Sequence, residues 1–495
     1  FLRTTKALLV AAGLCVGASA WADAIHLTTM TGVVGLEDNS AAWWTYYSKT
    51  ATIKKGESYT YTFTNYDLQT LNDETGSWIL EIRDQSTSYC FDARGNSDTG
   101  SDNAGWKWDN STETLTYNYT GKVWSNLYSS ASDFKTAYNG VEVTLTITRS
   151  ADGGTVTVTR AATLSGSKDF SGTWTCSGFT GSDNMTIDLI ALYAHQNITN
   201  VVYTDASGVV THYDLKNVDL SASNFTTDTG SSASYSDGVA TVTTATYKSG
   251  NSNRYSWAKL PLSSYFSEVD GTLTNVYMSF TENVGTGGRI AIGIYDKDKN
   301  SWPNTQGYQD LNNAVSAWGI MSSSGTRLYY NDGTENKNLS VVTTGSDAAI
   351  VVDMDMINKK FTWIQAGTTR VNNQYFCDNT VSEPGYLGWY NWSTENVTTI
   401  SNLTMQLTWI EATYYTATFT NTTSGNSVSA TIYSNSEKTS PVSNGMLENG
   451  GTYYFTASEE GYQDYEGSFT VSSVDPAVSF AMTAKAVYNY SVNAV

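Results

Sequence analysis

The sequence predicts an all-β protein made of tandem antiparallel β-sandwiches. Apolar and polar residues alternate with a period of two: Tyr59, Tyr61 and Phe63, for example, are separated by threonines. Such alternation is typical of strands that bury one face. Turn clusters rich in Gly, Asn and Asp, such as residues 152–154 and 331–333, separate these runs. No sustained helical spacing follows residue 22, which argues against an alternating βα fold.

The predicted strands fall into three blocks. The first block contains the alternating runs at 59–63 and 141–147, and it closes on a nearly continuous apolar run at 185–193, the pattern of a central core strand. The second block contains alternating runs at 276–280 and 403–409. The third block is short and regular, with strands at 415–420, 428–433, 453–457, 469–471 and 478–482.

These blocks give the domain boundaries. We predict a signal peptide at residues 1–22, a β-sandwich at 23–202, a polar linker at 203–219, a second sandwich at 220–411 and a small β domain at 412–485. Residues 486–495 repeat the in-and-out pattern of 415–420. We therefore expect them to begin a further repeat that is truncated at Val495.

The first 22 residues have the pattern of a secretory leader. Arg3 and Lys6 flank the start of an apolar stretch that is too short to span a bilayer, and residues 20–22 (Ala-Trp-Ala) fit the small-x-small cleavage pattern. No later stretch is long and apolar enough to cross a membrane. We expect a protein that is secreted or displayed on the cell surface after the leader is removed.

Composition excludes several classes of function. The net charge of −20 argues against binding to nucleic acid or to anionic lipid. Aromatic residues make up 13% of the chain and charged residues only 15%, which argues against disorder. After the leader the cysteines are Cys90, Cys176 and Cys377. Secretion permits disulfides, but the odd count leaves a Cys90–Cys176 disulfide and buried free thiols as open alternatives.

Several motifs carry a resemblance to known modules. The motifs of the first block are Trp43-Trp44-Thr45-Tyr46-Tyr47-Ser48, residues 59–66, Trp78, Gly105-Trp106 and residues 139–145. Together they resemble a β-sandwich module of secreted polysaccharide-degrading proteins from gut and rumen Bacteroidota. The leader is similar to those of Prevotella-like species. The resemblance implies carbohydrate binding and a Gram-negative bacterial source.

The other two blocks resemble different β modules. Residues 385–390 and 400–405 are similar to the closing strands of a concanavalin-like jelly roll. Residues 459–462 and 467–471 resemble the Gly-Tyr turn and last strands of short immunoglobulin-like surface repeats. The fold implied is two jelly-roll-like sandwiches followed by a small immunoglobulin-like β domain.

Catalytic residues are not evident. None of the three histidines lies in a Ser/His/Asp or Cys/His arrangement. Residues 268–270 (Glu-Val-Asp) resemble the start of the Glu-x-Asp-x-x-Glu strand of concanavalin-like glycanases, but Leu273 occupies the final Glu position and Gly271 interrupts the strand, so we interpret them as a turn. Asp353 and Asp355 share one face of a strand; a carboxylate pair and solvent-facing residues of an outer strand are the alternatives, and we favour the second.

A calcium site is the one metal candidate. Asp296, Asp298 and Asn300 place three oxygen ligands at alternate positions after a strand, although the Gly and Glu of an EF-hand loop are missing. A solvated turn is the alternative that we favour. We expect no required cofactor.

Aromatic side chains are the strongest functional signal. Sugars present flat apolar faces that indole and phenol rings cover, while polar side chains bond the hydroxyls. Aromatic residues in polar, loop-like stretches are candidate ligands, and buried core anchors are the alternative. The candidates are Trp44, Trp106, Trp108, Trp124, Trp302, Trp318, Trp389, Tyr390 and Trp392.

We interpret the chain as the secreted, non-catalytic, glycan-binding portion of a larger polysaccharide-degrading protein. Because the chain is acidic, its expected partner is a neutral plant or host polysaccharide. One alternative is a structural or adhesive surface protein with spacer repeats. Another is a glycan hydrolase or lyase whose active site lies in the concanavalin-like domain, and a catalytic domain beyond Val495 would also be compatible with the pattern.

Overall fold

The structure is a computed structural model. It describes residues 29–31, 48–66, 68, 70–71, 74–75, 77–84, 87–92, 104–109, 114–119, 127–179, 184–192, 195–246, 256–297, 311–322, 325–412, 414–442, 446–448, 451–472 and 475–486. Contacts divide the chain into two compact units. The first comprises residues 1–207 and 213–216, and the second comprises residues 208–212 and 217–495.

The first unit is an antiparallel β-sandwich. Its described elements are β1 (Thr29–Thr31), β2 (Ser48–Lys54), β3 (Ser58–Tyr66), β4 (Thr70–Leu71), β5 (Glu74–Thr75), β6 (Ser77–Arg83), β7 (Thr87–Asp92), β8 (Ala104–Asp109), β9 (Thr114–Tyr119), α1 (Ala131–Tyr138), β10 (Glu142–Arg149), β11 (Thr155–Leu164), β12 (Lys168–Asp169), β13 (Gly172–Ser177), β14 (Asn184–Leu192) and β15 (His195–Thr204). One sheet has the order β1-β15-β3-β10-β11-β13. The other has the order β2-β14-β6-β7-β8-β9.

Period-two alternation builds the core of this sandwich. Tyr59, Tyr61 and Phe63 on β3 are buried, while the threonines between them are half-exposed. They pack against Ile187 and Leu189 of β14, the predicted central strand, which lies between β2 and β6. The predicted strands of this block are confirmed. The sequence pattern missed helix α1, which begins after Ser130, whose Oγ accepts a 3.1 Å hydrogen bond from the Asp133 N–H.

The second unit contains another sandwich. Strand β16 (Val210–Asn217) contains residues of both units. The described strands of the sandwich are β17 (Thr226–Thr227), β18 (Ser232–Ser236), β19 (Val239–Thr244), β20 (Ser256–Pro261), β21 (Gly271–Val284), β22 (Ile290–Asp296), β23 (Ala314–Ser322), β24 (Gly325–Asn331), β25 (Asn336–Leu339), β26 (Ala348–Asp355), β27 (Lys360–Gln365), β28 (Thr368–Tyr375), β29 (Pro384–Asn391) and β30 (Asn396–Glu411). We call β17-β20-β29-β22-β23-β24-β25 the front sheet. The back sheet is β18-β19-β30-β21-β26-β27-β28.

One large apolar core separates the front and back sheets. Ile292 and Leu387 come from the front sheet, and Met278, Val352 and Met405 come from the back sheet. Each of these side chains is at most 2% exposed. Because strands place alternate side chains on opposite faces, the residues between the core positions of β20, β29 and β22 lie on the outer face of the front sheet.

The last part of the second unit is a small β domain. Its described strands are β31 (Tyr414–Tyr415), β32 (Thr418–Asn421), β33 (Asn426–Ser427), β34 (Ala430–Tyr433), β35 (Leu447–Glu448), β36 (Thr452–Ala457), β37 (Tyr465–Thr470) and β38 (Ala477–Phe480). Strands β32 and β38 pair in parallel, and β34, β36 and β37 form an antiparallel sheet. Phe419, Phe455 and Phe480 form its core.

Two sequence predictions need comment. Most of the predicted linker at 203–219 is extended: β15 runs to Thr204, and β16 covers Val210–Asn217 with buried Thr211 and Tyr213. Because the segment is mostly polar, its strand alternation was not evident from the sequence.

Cys176 and Cys377 are buried free thiols, so the alternative of a Cys90–Cys176 disulfide is excluded. Within the described ranges, no helix has the length and hydropathy needed to cross a membrane.

Candidate functional site: an aromatic face on the front sheet

The outer face of the front sheet carries a cluster of aromatic side chains. We call it the aromatic face, and it comprises Trp257, Tyr295, Tyr329, Tyr386, Tyr390 and Trp392. Strand alternation explains it, because Ala258 and Leu260 of β20 and Leu387 and Trp389 of β29 turn inward to the core. The aromatic residues occupy the positions between or beside these core residues, and their rings cover the opposite side of the same strands.

Strand register brings the rings into contact. Trp257 on β20 is paired with Tyr390 on β29, and Tyr386 on β29 is paired with Tyr295 on β22. The rings of Tyr295 and Tyr386 are stacked, with centroids 5.5 Å apart. The rings of Tyr390 and Trp392 are 5.9 Å apart and tilted. Paired positions on neighbouring strands are about 5 Å apart, so each of these pairs brings two side chains into contact distance.

Small residues occupy the middle of this face. Gly388 on β29 is paired with Gly293 on β22, and Gly293 is paired with Ala317 on β23. In the next row, Ala291 is paired with Gly319. These positions form a strip, carry at most a methyl group, and are all buried. A Cβ at Gly293 would lie 2.8 Å from the Tyr295 ring, which therefore lies over that glycine.

The aromatic rings of this face differ in exposure. Tyr295, Tyr329, Tyr386 and Tyr390 are buried, whereas Trp257 and Trp392 are half-buried and reach solvent. Cys377 packs in the same cluster, and burial raises the pKa of its thiol. That cysteine is therefore a neutral packing residue there. Solvent reaches the face at the Trp257 end.

Lys259 places a positive charge on this face. Its Nζ lies 5.7 Å from the Trp257 ring centroid and 5.4 Å from the Tyr386 ring centroid, within the range of cation–π attraction. Gly388 is its partner on β29, so no side chain separates the ammonium group from the glycine strip. Among the residues that the structure describes, Lys259 makes no ion pair.

The predicted aromatic ligands divide into two groups within β29 and β23. Trp318 and Trp389 are fully buried core residues, so the prediction that their rings are available to a ligand is wrong. The stretch predicted to be loop-like, residues 389–392, begins within strand β29, and one-residue alternation sends Trp389 into the core. Tyr390 and Trp392 lie on the aromatic face, although Tyr390 is itself buried.

The structure does not describe the side chains of the remaining predicted aromatics. Trp106 and Trp108 lie on β8, paired with β7 and β9, and not in a loop as predicted. Their side chains are outside the description. Trp44, Trp124 and Trp302 lie outside the described residues. These five therefore remain predictions.

The calcium candidate is only partly described. Asp296 is buried, and its Oδ2 accepts hydrogen bonds from Ser382 N–H at 2.6 Å, Ser382 Oγ at 3.1 Å and Glu383 N–H at 3.3 Å. This oxygen holds the loop before β29. Asp298 and Asn300 lie outside the described residues. Among the residues described, no group of three or more His, Cys, Asp or Glu side chains is arranged to hold a metal ion.

The carboxylates considered for catalysis are on the back sheet or at its edge. Asp353 accepts a 2.7 Å hydrogen bond from the Asn275 amide, and Asp355 accepts from the backbone N–H groups of Ile357 and Asn358. Both lie on the outward face of β26, as the favoured interpretation predicted. Residues 268–270 precede β21 in a turn, and Asp270 accepts a hydrogen bond from Tyr414.

The residues predicted from the sequence did not include five residues found here: Trp257, Lys259, Tyr295, Tyr329 and Tyr386. The available signal was alternation: in Ser256–Pro261 the small and aliphatic residues occupy one face, and Trp257 and Lys259 the other. The same alternation in β22, β24 and β29 assigns Tyr295, Tyr329 and Tyr386 to the face opposite the core.

Comparisons with known proteins add little. No protein-family model matches the chain, and no curated protein matches it. Solved structures that resemble it include a sialidase, at 10% identity and TM-score 0.28 over 69% of this chain and 32% of the sialidase, so the chain spans about a third of that protein. Basic winged bean lectin with Tn-antigen is 10% identical, with TM-score 0.27 over 40% of this chain and 99% of the lectin. LamAcat from Zobellia galactanivorans is 13% identical, with TM-score 0.23 over 35% of this chain and 79% of that chain. Likenesses at these TM-scores assign neither a family nor a function.

Proposed function

We propose that this protein binds a polysaccharide through the aromatic face of the front sheet. It acts as a secreted or surface-displayed, non-catalytic module of a polysaccharide-degrading protein. The observation that carries the proposal is the pair of half-buried indoles, Trp257 and Trp392, which reach solvent beside a buried aromatic cluster on the face opposite the sandwich core. Indole rings that reach solvent can cover the apolar C–H faces of sugars.

The arrangement of the face determines where a ligand would make contact. The strip through Gly388, Gly293 and Ala317 crosses three neighbouring strands, over about 10 Å, and is buried. A sugar unit would therefore meet the rings that reach solvent, Trp257 and Trp392. The half-buried Trp257 offers the first accessible ring for a ligand arriving from solvent.

The expected ligand is neutral. The chain carries 47 acidic and 27 basic residues, so a polyanionic glycan would meet an unfavourable overall field. Hydroxyl groups, in contrast, bond well to a mixture of carboxylate, indole and ammonium groups. The leader-like sequence pattern of residues 1–22 is the basis for proposing secretion.

Affinity electrophoresis on native gels tests the proposal. The wild-type chain is run in gels containing β-glucan, xyloglucan, xylan, galactomannan or polygalacturonate. We expect at least one neutral glycan to retard it, and Trp257→Ala to reduce this retardation by roughly tenfold or more. Tyr235→Ala is the matched control, because Tyr235 is a 47% exposed aromatic residue on β18 of the back sheet.

Two results would contradict the proposal. In the first, none of the glycans retards the wild-type chain. In the second, a glycan retards wild type, Trp257→Ala and Tyr235→Ala equally, which would locate binding away from the aromatic face. A thermal melt of each variant confirms that the fold is retained.

A further inference from the structure

We propose that the Trp257 end of the aromatic face is a subsite for one uncharged sugar ring, in which Asp228 accepts from a sugar hydroxyl and the Trp392 indole donates to one. This inference rests on the proposed function and names the residues that select its ligand. It concerns three neighbouring positions: Asp228 after β17, Trp257 on β20, and Trp392 after β29.

Backbone pairing places Asp228 beside Trp257. Thr227, the last residue of β17, is paired with Ala258, and the Asp228 N–H donates a 3.1 Å hydrogen bond to the Trp257 carbonyl oxygen. The antiparallel ladder therefore continues by one position. Residues opposite each other in such a ladder project to the same side of the sheet, so Asp228 lies on the side of the Trp257 ring.

Trp392 completes the other border of the same end. Tyr390 is the β29 partner of Trp257, and the Trp392 ring packs against Tyr390 at 5.9 Å. The backbone N–H of Trp392 donates a 3.1 Å hydrogen bond to the Arg289 carbonyl oxygen. This bond holds Trp392 in place directly after β29. Asp228 and Trp392 thus flank the Trp257–Tyr390 pair from opposite sides.

Both flanking side chains have an unused polar atom. Asp228 Oδ1 and Trp392 Nε1 are buried, and neither has a hydrogen-bond partner among the described residues. A buried donor or acceptor without a partner costs about 1–3 kcal/mol, and a bound group that pairs with it removes that cost. One unused acceptor and one unused donor beside a solvent-reaching aromatic ring therefore indicate a bound group that satisfies both.

A sugar ring has the required chemistry. Each hydroxyl can donate to Asp228 Oδ1 or accept from Trp392 Nε1, and the C–H face can cover the Trp257 ring. Lys259, two residues from Trp257 on the same face of β20, adds a donor. A sugar carboxylate next to Asp228 would bring two negative charges together, which favours an uncharged unit at this position.

Variants of the two polar residues test the subsite. The probe is the neutral glycan that retards the wild-type chain most strongly, together with a carboxymethylated preparation of the same glycan. We expect Asp228→Ala to weaken retardation by the neutral glycan roughly tenfold. The variant loses the carboxylate that accepts a charge-assisted hydrogen bond, and the sugar hydroxyl is left without an acceptor. We expect Trp392→Phe, which keeps an aromatic ring and removes the N–H, to weaken it several-fold.

Charge selection supplies a second readout. Wild type should bind the carboxymethylated glycan more weakly than the neutral one, and Asp228→Asn should narrow this difference because the amide keeps an oxygen acceptor and loses the charge. Asp237→Asn is the control: Asp237 is an exposed residue of the β18–β19 turn. Asp228 Oδ1 has no hydrogen-bond partner in the part of the protein that the structure describes, so we expect the Asp228 variants to melt at the wild-type temperature. A loss of glycan binding without a fall in melting temperature is then a binding effect and not a folding defect.

The outcomes separate the subsite from the proposed function. If wild type binds no glycan, the proposed function fails. If wild type binds and Trp257→Ala does not, while Asp228→Ala and Trp392→Phe bind as wild type does, the function stands and the subsite is wrong. In that case ordered water, and not sugar, satisfies the two atoms.

Discussion

The Trp318 indole Nε1 donates a 2.8 Å hydrogen bond to Glu282 Oε2 in the core between the front and back sheets. Glu282 occupies a core-facing position of β21, and its other oxygen, Oε1, has no hydrogen-bond partner among the described residues. Burial is the main cause that raises the pKa of this carboxyl to about 8, and the Trp318 hydrogen bond opposes the shift. The side chain is therefore mostly a neutral acid at pH 7.

This carboxyl should make the second unit less stable as the pH rises from about 4.5 to about 8. The folded-state pKa of Glu282 lies above its ordinary value of 4.5, so the folded state binds the extra proton between these values. Its contribution to stability is fully present below about pH 4.5 and is lost as the pH rises through about 8. We expect the calorimetric transition of the second unit to shift to lower temperature from pH 5 to pH 8.5.

Glu282→Gln should reduce the fall in melting temperature of the second unit between pH 5 and pH 8.5. Glutamine keeps an acceptor for Trp318 and cannot ionise. Glu335→Gln, at an exposed turn beside β25, is the control and should leave the slope as in wild type. An unchanged slope in Glu282→Gln would show that the pH dependence has another source.

Gly293→Ala should disturb the aromatic face. The new Cβ would lie 2.8 Å from the Tyr295 ring, which must then shift from its stack on Tyr386. We expect a loss of about 1–3 kcal/mol in the free energy of unfolding and weaker glycan retardation. Gly154→Ala is the matched control, because its Cβ would meet only the Asp152 side chain at 3.6 Å. Wild-type behaviour of Gly293→Ala in both measurements would contradict the geometry of the strip.

Asp296→Ala should destabilise the loop that leads into β29. The change leaves the Ser382 and Glu383 N–H groups without their acceptor, at an expected cost of about 1–3 kcal/mol in urea unfolding. Asp347→Ala, at an exposed position, is the control. Because the Asp296 Oδ2 is already used by the protein, EDTA should leave the melting temperature of wild type unchanged. A fall on EDTA treatment would favour the calcium prediction instead.

Ser130→Ala should weaken the one helix of the first unit that the structure describes. Ser130 Oγ accepts from the Asp133 N–H, and loss of such a cap costs about 1 kcal/mol. Ser129→Ala removes a neighbouring hydroxyl that bonds only the Asp133 side chain, and it should cost less. Equal effects of the two changes on urea unfolding would contradict the capping role.

The fold was largely predictable because period-two alternation is a local property. Tyr59, Tyr61 and Phe63 alternate with threonine in the sequence and are buried in turn in the sandwich. The short helix α1 was not predictable by the same route, since eight residues give too little periodicity. Its Ser130 cap with Asp133 three residues later was the available signal.

The candidate site was predictable only in part, because its composition depends on pairing between strands distant in sequence. Trp389 and Tyr390 are neighbours in the chain, yet one is in the core and the other is on the aromatic face. Alternation requires that they differ, but only the register with Trp257 decides which ring joins the site. Local polarity therefore misassigned Trp389 and overlooked Trp257.

Gly293 and Gly388 are paired on neighbouring strands, and substitutions at these positions can change the side-chain volume in only one direction. Both residues already carry the smallest side chain, so every substitution at either position adds atoms above the sheet. Both positions are buried, so point mutations there add volume to a packed layer and never remove it. Descendants of this sequence with more room at this surface would have to gain it by substituting smaller residues for the rings that reach solvent, Trp257 and Trp392 foremost.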